Sequence, residues 1–450
     1  MNYLQIGIPQ LWELFIWPLM KIIMHKEPIM SIGLVMPEDN QKDISLLLNG
    51  DSFDLKVNDL NQTHFNKKLL IQSKNQRMHL EGKECESIIL TNRQRIITDH
   101  IVVDSVIAGR GFHWQKRIKI KVLGDIVIKL IGHSLFVINR IHLEDYLMCV
   151  ATSEMGSNCP TSLLEAQTIV ARSWILAAAE KKHERLGLDA CNDDCCQRYQ
   201  GISNLTKSSI KATVNTRGKA IMHSDTICDA RYSKSCGGIT ESSANVWTMD
   251  QKPYLESLVD DSSQMKKNIS NEESFKNWMR LKHSSYCGPQ FIDENKLGEY
   301  LGNVDKEGKY YRWKVCYNMD EMIQIIFVKT GKLFTDIKQI LPLKRGASGR
   351  ILHLDIIGTL KDKNDYKLSI ESEYEIRRIL HPKFLYSSAF TIETNSNTNS
   401  SKYFTLKGAG WGHGVGLCQI GALGMSLAGR NTNEILYHYY KQTQIKDIYE

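Results

Sequence analysis

The sequence predicts an α+β protein, and three observations lead to that fold class. Short apolar runs separated by turns fill residues 28–141, and the stretch from Arg117 to Asp125 alternates apolar and polar side chains, as a half-buried strand does. After Leu143 the apolar residues fall at helical spacing. Strand and helix patterns then mix along the rest of the chain, so we expect a β-rich N-terminal part followed by a mixed core with a cleft.

Two helices are expected in residues 142–262, the first part of the mixed core. The first covers LEDYLMCVATSEM and has Glu144 in its first turn, where the helix dipole favours an anion. The second covers LLEAQTIVARSWILAAAEKKHE and runs to about Glu184. Ser162 and Glu165 have the spacing of a capping box, which predicts that this helix begins there.

The rest of the chain is expected to form an inserted subdomain and the C-terminal part of the core. Residues 263–345 are polar and mixed, with a helix predicted near 273–282 and a strand near 311–317. Residues 346–450 contain a Gly-rich strand and two helices that complete the core. The last helix starts at NTNE, again with capping-box spacing.

The composition is that of a globular protein and argues against a nucleic-acid partner. The chain has 450 residues, of which 42% are hydrophobic and 24% charged. Its net charge of +7 comes from lysines and arginines spread along the chain and not gathered in basic arms. Nucleic acid is therefore not the default partner, and a weak attraction to acidic polymers or to an anionic envelope fits this charge distribution equally well.

The first residues are ambiguous as a targeting signal. Residues 5–24 are apolar, but Pro9, Glu13 and Pro18 interrupt them, no basic region precedes them and no small-residue cleavage site follows. We therefore expect no transmembrane helix and no convincing signal peptide. Residues 1–27 are interpreted as an N-terminal extension, either an atypical signal or a start assigned too early.

Glu154 is a candidate for acid–base chemistry because of its position. It stands at the C-terminal end of the first predicted helix, next to Met155 and small residues. The negative end of a helix dipole and an apolar environment both favour the neutral form of a carboxyl group, which a general acid needs. The alternative is an ordinary solvated glutamate at a helix end.

A cluster of cysteines predicts a metal site. The chain has 11 cysteines, an odd number that does not indicate a disulfide framework in a protein of this length. The candidate ligands are His183, Cys191, Cys195 and Cys196, with Cys228 and Cys236 as further candidates if the loop folds back. Four soft ligands suit Zn²⁺. The alternatives are free thiols, or a disulfide between Cys191 and one of the two later cysteines.

The stretch GAGWGHGVGLCQIGALG has a glycine at every second position over residues 408–416. This spacing fits neither a dinucleotide fingerprint nor a P-loop. In an extended strand it places the five glycines on one face, where another backbone or a ligand can come close, with Trp411 and His413 on the other. The paired glycines after Ser235, in SCGGITE, predict a turn that shapes a cleft and not a nucleophile.

Taken in order, several segments resemble one family. They are EDYLMCVATSEM, LLEAQTIVARSW, CCQRYQG, SCGGITESSANVW, SGRILHLDIIG and KGAGWGHGVGLCQIGALG. They are similar to segments of the SpoIID/LytB family, which contains stage II sporulation protein D and the amidase enhancers. The resemblance runs from about residue 28 to 450 and is weakest in 263–345.

The resemblance implies a peptidoglycan lytic transglycosylase, with Glu154 at the position of the family's catalytic glutamate. Such an enzyme cleaves between N-acetylmuramic acid and N-acetylglucosamine, and the muramyl 6-hydroxyl attacks to give a 1,6-anhydro product. One glutamate can act first as acid and then as base, whereas ordinary glycosidases use two carboxylates. The alternative is a non-catalytic activator of an N-acetylmuramoyl-L-alanine amidase. An unrelated cytosolic metal protein is a third interpretation.

The resemblance also implies a zinc site, a set of substrate contacts and a location. Some relatives hold zinc at an HCQ-type motif, which reads Cys195-Cys196-Gln197 here, so a structural zinc bound by the cysteine cluster is expected. The expected substrate contacts are Gln167, Arg172, Ser235, Gly237, Gly238, Trp411, Gly412, His413 and Gly414. The expected partners are peptidoglycan glycan strands and a cell-wall amidase, in the cell envelope or periplasm.

Overall fold

The computed structural model describes residues 26–111, 115–247, 249–263, 267–281, 283–301, 310–361, 363–396 and 402–449. Residues 1–25 lie outside these ranges. They make up most of the predicted extension 1–27 and include its signal-like stretch. Among the described helices, none is both long enough and apolar enough to cross a bilayer. Helices and strands are mixed along the chain, which confirms the α+β class.

Strands dominate the N-terminal part. They are β1 (Ile29–Val35), β2 (Asp43–Asn49), β3 (Phe53–Val57), β4 (Leu60–Gln62), β5 (Lys68–Lys74), β6 (Arg77–Leu80), β7 (Lys83–Cys85), β8 (Ser87–Asn92), β9 (His100–Ala108), β10 (Lys116–Val122), β11 (Asp125–Ile131) and β12 (Ser134–His142). One antiparallel sheet has the order β1-β12-β11-β8-β3-β4, and a second has the order β10-β9-β2-β5-β6-β7. Side chains alternate in burial along β2, where Ile44, Leu46 and Leu48 point inward, and both sheets contribute to one hydrophobic cluster.

The next part of the chain mixes helices with short strands. Its elements are α1 (Leu143–Glu154), α2 (Thr161–Ala177), β13 (Ala190–Cys191), α3 (Lys207–Asn215), β14 (Lys219–His223), β15 (Thr226–Ile227), β16 (Tyr232–Ser233) and α4 (Ser243–Val246). Helix α1 packs its apolar face into the hydrophobic cluster shared by the two sheets, with Tyr146 and Leu147 fully buried. It ends at Glu154, so that the carboxyl group stands at the edge of this packed layer.

Helix α2 differs from its prediction at both ends. Its N-cap is Pro160 without a side-chain cap, and Ser162 instead hydrogen-bonds Ser426, so the predicted capping box is wrong. The helix ends at Ala177, well before Glu184. The Ala179 N–H donates to a carboxylate oxygen of Asp229 at 3.2 Å, which turns the chain out of the helix. This exit lets His183 approach the cysteine loop.

The remaining elements enclose the core. They are α5 (Glu272–Arg280), α6 (Leu297–Leu301), β17 (Arg312–Asn318), α7 (Met319–Thr330), β18 (Phe334–Arg345), β19 (Ile351–Leu360), β20 (Lys363–Ile370), α8 (Glu373–Ile379), β21 (Phe390–Ser396), β22 (Lys402–Ala409), β23 (Leu417–Cys418), α9 (Gln419–Leu427), α10 (Thr432–Tyr439) and β24 (Gln444–Asp447). Short 3₁₀ helices also occur at Pro37–Asp39, Glu184–Leu186, Ile202–Asn204, Pro253–Leu255 and Glu294–Lys296. Asn431 and Glu434 cap α10 reciprocally, as predicted.

The boundary predicted at residue 345 falls inside a sheet and needs correction. Strand β18 precedes this boundary and pairs with β19, which follows it. Strand β17 pairs with β22, far along the chain. Side chains from β17 to β22 and from α7 and α8 form a hydrophobic cluster of their own. The compact unit here therefore extends from β17 to β22 and does not end at β18.

Three strand pairings bring distant segments together around α1. The short β13 pairs in parallel with β1, which sets Cys191 opposite Gly33. The equally short β16 pairs in parallel with β23, with Tyr232 opposite Leu417. Strand β24 pairs with β14, which itself follows α3. The cysteine loop, β16 and the start of α9 consequently meet near Glu154.

Candidate functional site

Glu154 is a partly buried carboxylate that accepts hydrogen bonds from three separate segments. Its Oε1 accepts from the Arg198 main-chain N–H at 2.9 Å and from the Tyr232 hydroxyl at 3.0 Å. Its Oε2 faces the Gln419 side-chain amide at 3.5 Å. These donors fix the orientation of the carboxylate, which is therefore not an ordinary solvated helix end.

Gln167 lies behind this arrangement. It is fully buried, and its Oε1 accepts from the same Gln419 amide at 3.3 Å. Its own Nε2 is buried without a hydrogen-bond partner among the described residues. Gln167 thus positions Gln419, which in turn faces Glu154, and a direct contact between Gln167 and a ligand is not required for this role.

Tyr232 and Lys234 surround Glu154 from the strand side. Burial raises the pKa of the Tyr232 phenol well above its ordinary value, and the nearby Glu154 carboxylate raises it further, so the phenol stays protonated and donates. The Lys234 ammonium donates to the main-chain oxygen of Glu154 at 3.0 Å. It therefore places a positive charge at the negative end of the α1 dipole.

The four predicted zinc ligands lie together. The donor atoms of His183, Cys191, Cys195 and Cys196 are all within 4.8 Å of one another. The sulfurs of Cys191 and Cys195 are 3.1 Å apart, and Cys195 is 3.6 Å from the His183 ring nitrogen. Tetrahedral zinc with bonds of about 2.0–2.3 Å separates its ligand atoms by about 3.3–3.8 Å. The separations around Cys195, from 3.1 to 4.0 Å, lie on both sides of this range, so small side-chain shifts would bring the set onto the metal. All four candidates meet without Cys228 or Cys236.

The thiol groups of this cluster are free, and one of them favours the anionic form. No described pair of these cysteines forms a disulfide. A hydrogen bond from Cys191 lowers the pKa of Cys195 far below its ordinary value, and the same contact raises the pKa of Cys191 far above its own. Hydrogen bonding to Cys195 raises the pKa of His183 to about 10. The Cys195 sulfur therefore attracts a positive charge, as a metal-binding thiolate does.

The cysteine loop reaches Glu154 through the residues that follow it. Gln197 is fully buried, accepts from the Tyr146 hydroxyl at 3.1 Å and donates to the main-chain oxygen of Ala171 at 3.2 Å. These bonds hold the backbone in place just before Arg198, whose N–H donates to Glu154. A metal in the cluster would fix the loop and, through it, the carboxylate.

The glycine segment is not an extended strand, which corrects the sequence prediction. Strand β22 ends at Ala409, and Gly410, Gly412, Gly414 and Gly416 have φ values of 78°, 90°, 77° and 70°. These are left-handed conformations that favour glycine. Because the chain bends at each of them, the glycines do not share one face and instead meet different neighbours.

Neighbouring atoms nevertheless lie so close to this segment that several of its positions require glycine. A Cβ atom would lie less than 3.0 Å from main-chain atoms of Ser235 at Gly410, from the Arg350 guanidinium at Gly414 and from main-chain atoms of Arg231 at Gly416. The segment therefore packs against the chain on both sides of β16, the strand that carries Tyr232.

Arg350 is a buried residue that sequence reasoning missed. Its guanidinium is fully buried and donates to the main-chain oxygens of Gly412 and Cys236, each at 3.3 Å, and to the Ser348 hydroxyl at 3.0 Å. The Ser348 hydroxyl in turn donates to Glu241 at 2.6 Å. The arginine that begins RILHLDIIG was a visible signal, because an arginine beside a buried strand needs partners.

Trp411 and His413 take part in aromatic contacts. The Trp411 ring stacks on Tyr310, with ring centres 4.9 Å apart, and His413 meets Trp247 edge-on at 4.8 Å. The Val415 N–H donates to Nδ1 of His413 at 3.0 Å, so the ring proton is on Nε2. Burial, followed by nearby arginine charges, lowers the pKa of His413 well below its ordinary value, and the ring is therefore neutral.

Three other predicted contact residues support packing. Ser235 is fully buried and exchanges two main-chain hydrogen bonds with Trp411, at 3.0 and 2.8 Å. Gly237 and Gly238 form a turn with φ values of 74° and 111°, and a Cβ on Gly237 would clash with the backbone of Gly410. The turn is as predicted, but the side chain of Ser235 does not face a surface on which a ligand can lie.

Arg172 is a core residue, which corrects its assignment as a substrate contact. Its side chain is fully buried and forms a two-point ion pair with Glu144, at 2.9 and 2.6 Å. It also donates to the main-chain oxygen of Lys219 at 2.9 Å. The Tyr449 hydroxyl bonds the same carboxylate. These contacts join α1, α2 and the end of the chain.

Comparisons with known proteins point to one family. Residues 132–223 match a family model described as Stage II sporulation protein, and residues 241–416 match one described as a domain of unknown function. Stage II sporulation protein D of Bacillus amyloliquefaciens is 24% identical over 335 residues, covering 71% of this chain and 78% of that protein. An uncharacterised protein of Brachyspira hyodysenteriae is 25% identical over 328 residues, 73% of each chain.

A further relative is named as an amidase enhancer and not as a sporulation protein. The amidase enhancer of Bacillus subtilis is 24% identical over 304 residues, which cover 66% of this chain and 39% of that protein. The stretch matched by the sporulation model contains Glu154 and the cysteine cluster. The stretch matched by the second model contains the unit from β17 to β22 and most of the glycine segment.

Proposed function

The chain belongs to the SpoIID family, and from this we propose that it is a lytic transglycosylase of the cell envelope. Its substrate would be the glycan strand of peptidoglycan, cut between N-acetylmuramic acid and N-acetylglucosamine to leave 1,6-anhydro-muramyl ends. The observation that carries the proposal is the oriented Glu154 carboxylate, with donors from Arg198, Tyr232 and Gln419.

In the proposed reaction one carboxyl group performs both proton transfers. Glu154 first donates its proton to the glycosidic oxygen, and the leaving sugar departs. The muramyl 6-hydroxyl then attacks the anomeric carbon, and the Glu154 carboxylate takes the hydroxyl proton. Because the nucleophile belongs to the substrate, no activated water is needed. The Tyr232 and Arg198 donors would hold the carboxylate in one position through both steps.

Asp194 is a second carboxylate close to Glu154. Burial raises the pKa of Asp194, the Arg198 cation opposes this, and the Glu154 carboxylate adds to it, so the two acidic groups influence each other. Asp194 is nevertheless paired with the Arg198 guanidinium at 3.0 and 3.1 Å. We assign it to holding Arg198, since a base for water would need a free oxygen.

The products distinguish a transglycosylase from a two-carboxylate hydrolase. Purified protein incubated with glycan strands freed of stem peptides is expected to release fragments with 1,6-anhydro-muramyl ends, identified by mass spectrometry. Fragments with reducing muramyl ends would instead show hydrolysis and overturn the proposed mechanism. The same digest after borohydride treatment is a control, because only reducing ends are converted to the alcohol.

Tyr232→Phe should lower kcat by about 10-fold, because a hydrogen bond to a charged group contributes about 1.5 kcal/mol or more. KM for glycan strands should change little, since the hydroxyl acts on Glu154 and not on the substrate. Tyr437→Phe is the matched control because Tyr437 is exposed on α10. A Tyr232→Phe variant with unchanged kcat would show that this donor does not position Glu154.

We also propose that His183, Cys191, Cys195 and Cys196 bind a structural zinc ion. The grouping of their donor atoms within 4.8 Å of one another supports this, because three thiols and one imidazole form a four-ligand set that suits zinc. The ion would tie the loop after α2 to β13 and thereby to the N-terminal sheet. It would have no contact with the substrate in this role.

The second candidate function is activation of a cell-wall amidase. The relative named amidase enhancer favours it, although this chain spans less than half of that protein. A Glu154→Gln variant that stimulates an N-acetylmuramoyl-L-alanine amidase as well as the wild type does, while neither protein cuts glycan, would favour activation over catalysis.

A further inference from the structure

A second group of metal-ligating side chains lies away from the predicted zinc ligands. It consists of Cys236, Asp260, Cys287 and Cys418, all fully or almost fully buried. Their donor atoms are within 4.8 Å of one another. The Cys236 sulfur is 3.6 Å from the Cys287 sulfur and 3.3 Å from Oδ2 of Asp260. This group is called the buried thiol cluster below.

Backbone N–H groups point at two of its sulfurs. The Cys418 sulfur accepts from the main-chain nitrogens of Cys236 and Gly421, at 3.1 and 3.2 Å. The Cys236 sulfur accepts from the main-chain nitrogen of Gly238 at 3.3 Å. Cys418 also caps the N-terminus of α9, where the helix dipole favours a thiolate. Donors of this kind stabilise the anionic sulfur that binds a metal.

Asp260 is oriented as a ligating carboxylate usually is. Its Oδ2 faces the sulfurs and accepts from the Cys287 N–H at 3.3 Å. Its Oδ1 accepts from the Tyr439 hydroxyl at 2.7 Å and lies 3.3 Å from Nε2 of His438. The outer oxygen of the carboxylate is therefore fixed by partners, while the inner oxygen faces the sulfurs.

The surroundings of the buried thiol cluster are apolar, which makes its charge costly without a cation. Its cysteines belong to the hydrophobic cluster that also contains Ile420, Leu423 and Tyr286. Anionic groups in such a core are found paired or bound to a metal. Gly421 leaves room for the arrangement, since a Cβ there would collide with Tyr439 and Asp260.

We propose that Cys236, Cys287, Cys418 and Asp260 bind a second zinc ion in a closed, structural site. Three sulfur ligands and one oxygen ligand form a four-coordinate set that suits Zn²⁺. The separations of 3.6 Å between Cys236 and Cys287 and 3.3 Å between Cys236 and Asp260 match the edges of about 3.3–3.8 Å in a tetrahedral zinc site. Because all four ligands come from the protein and are buried, the ion would have no open position for substrate or water. Its role would be to hold the fold.

The site would join three segments that are far apart in sequence. Cys236 lies in the turn that packs on the glycine segment, and Cys287 lies between α5 and α6. Cys418 ends β23 and immediately precedes Gln419, which faces Glu154. Closing such long loops with one ion restricts the unfolded chain strongly. The ion would therefore fix both the region before β17 and a residue of the candidate active site.

Zinc counts on single-cysteine variants test the proposal. Protein purified under reducing conditions is expected to hold two zinc ions per chain by inductively coupled plasma mass spectrometry. Cys287→Ser should hold one, and Cys191→Ser, in the first cluster, should also hold one. Cys316→Ser is the control and should hold two zinc ions, because Cys316 is exposed and belongs to neither group. A Cys287→Ser variant that keeps the wild-type zinc content overturns the second site.

A measurement on the unmutated chain covers the case in which a variant does not fold. Titrating the metal-free chain with Co²⁺ should give thiolate-to-cobalt absorption that saturates at two Co²⁺ per chain, and saturation at one would overturn the second site. If Cys191→Ser abolishes all bound metal, the second site is wrong while the first is supported. Intact mass without reduction gives an independent check, since a loss of two hydrogens between Cys236 and Cys287 would show a disulfide instead of a metal.

Discussion

Glu154→Gln is expected to lower the rate of glycan cleavage by about 10²- to 10⁴-fold, the usual contribution of a positioned acid or base. The amide has nearly the shape of the carboxyl group and can still accept from the Tyr232 hydroxyl and the Arg198 N–H. It cannot supply a proton to the glycosidic oxygen or take one from the 6-hydroxyl. Release of 1,6-anhydro fragments from glycan strands measures the loss.

The control for this substitution is Glu165→Gln, on α2. The Glu165 carboxylate accepts from Asn215 and Thr432 and has no contact with Glu154. Its substitution should leave the cleavage rate within about 2-fold of the wild type, since a surface substitution has a small effect on the fold. A Glu154→Gln protein that folds, binds glycan and cleaves at the wild-type rate would rule out Glu154 as the acid.

Arg172→Met is expected to destabilise the protein by about 3–5 kcal/mol, the cost of leaving one member of a buried ion pair without its partner. The substitution removes both bonds to Glu144 and leaves that carboxylate facing an apolar core. Urea unfolding followed by circular dichroism measures the change in the free energy of unfolding. The double variant with Glu144→Gln should recover part of the loss, because it removes the buried charge as well.

An exposed ion pair provides the comparison. Lys181 and Glu184 are 3.8 Å apart, with side chains 69% and 70% exposed. Lys181→Met should therefore cost less than about 1 kcal/mol. If Arg172→Met costs no more than this exposed substitution does, the Glu144 pair does not hold α1 and α2 together, and Arg172 would again be open to a role in binding.

The sequence predicted the helices better at some ends than at others. The end of α1 at Glu154 followed from the apolar spacing and the small residues after it. The end of α2 did not, because the bond from Ala179 to Asp229, which turns the chain, joins residues 50 positions apart. The glycine segment was mistaken for a strand, since a period of two in the sequence does not distinguish extended glycines from left-handed ones.

Some residues of the candidate site could likewise be predicted from the sequence, and others could not. The His183 cysteine cluster carries metal-binding side chains at short spacing, and so could be named from the sequence. Glu154 was singled out by the resemblance to the SpoIID/LytB family, since its position at a helix end left an ordinary solvated glutamate as the alternative. The donors that hold Glu154 could not be named from the sequence. Arg198 contributes a main-chain N–H, which no residue type reveals, and Gln419 lies 265 positions from Glu154. The Arg172 pair with Glu144 was missed because its partner lies on another helix.

The parallel pairing of β16 with β23 has a consequence for the order in which the protein is made. Ribosomes release the chain from its first residue onward, and Glu154 emerges 265 residues before Gln419. Until β23 has emerged, the carboxylate lacks one of its three donors and α9 cannot dock. During most of its synthesis the chain therefore has only part of the hydrogen-bond arrangement around Glu154, which is completed after α9 docks.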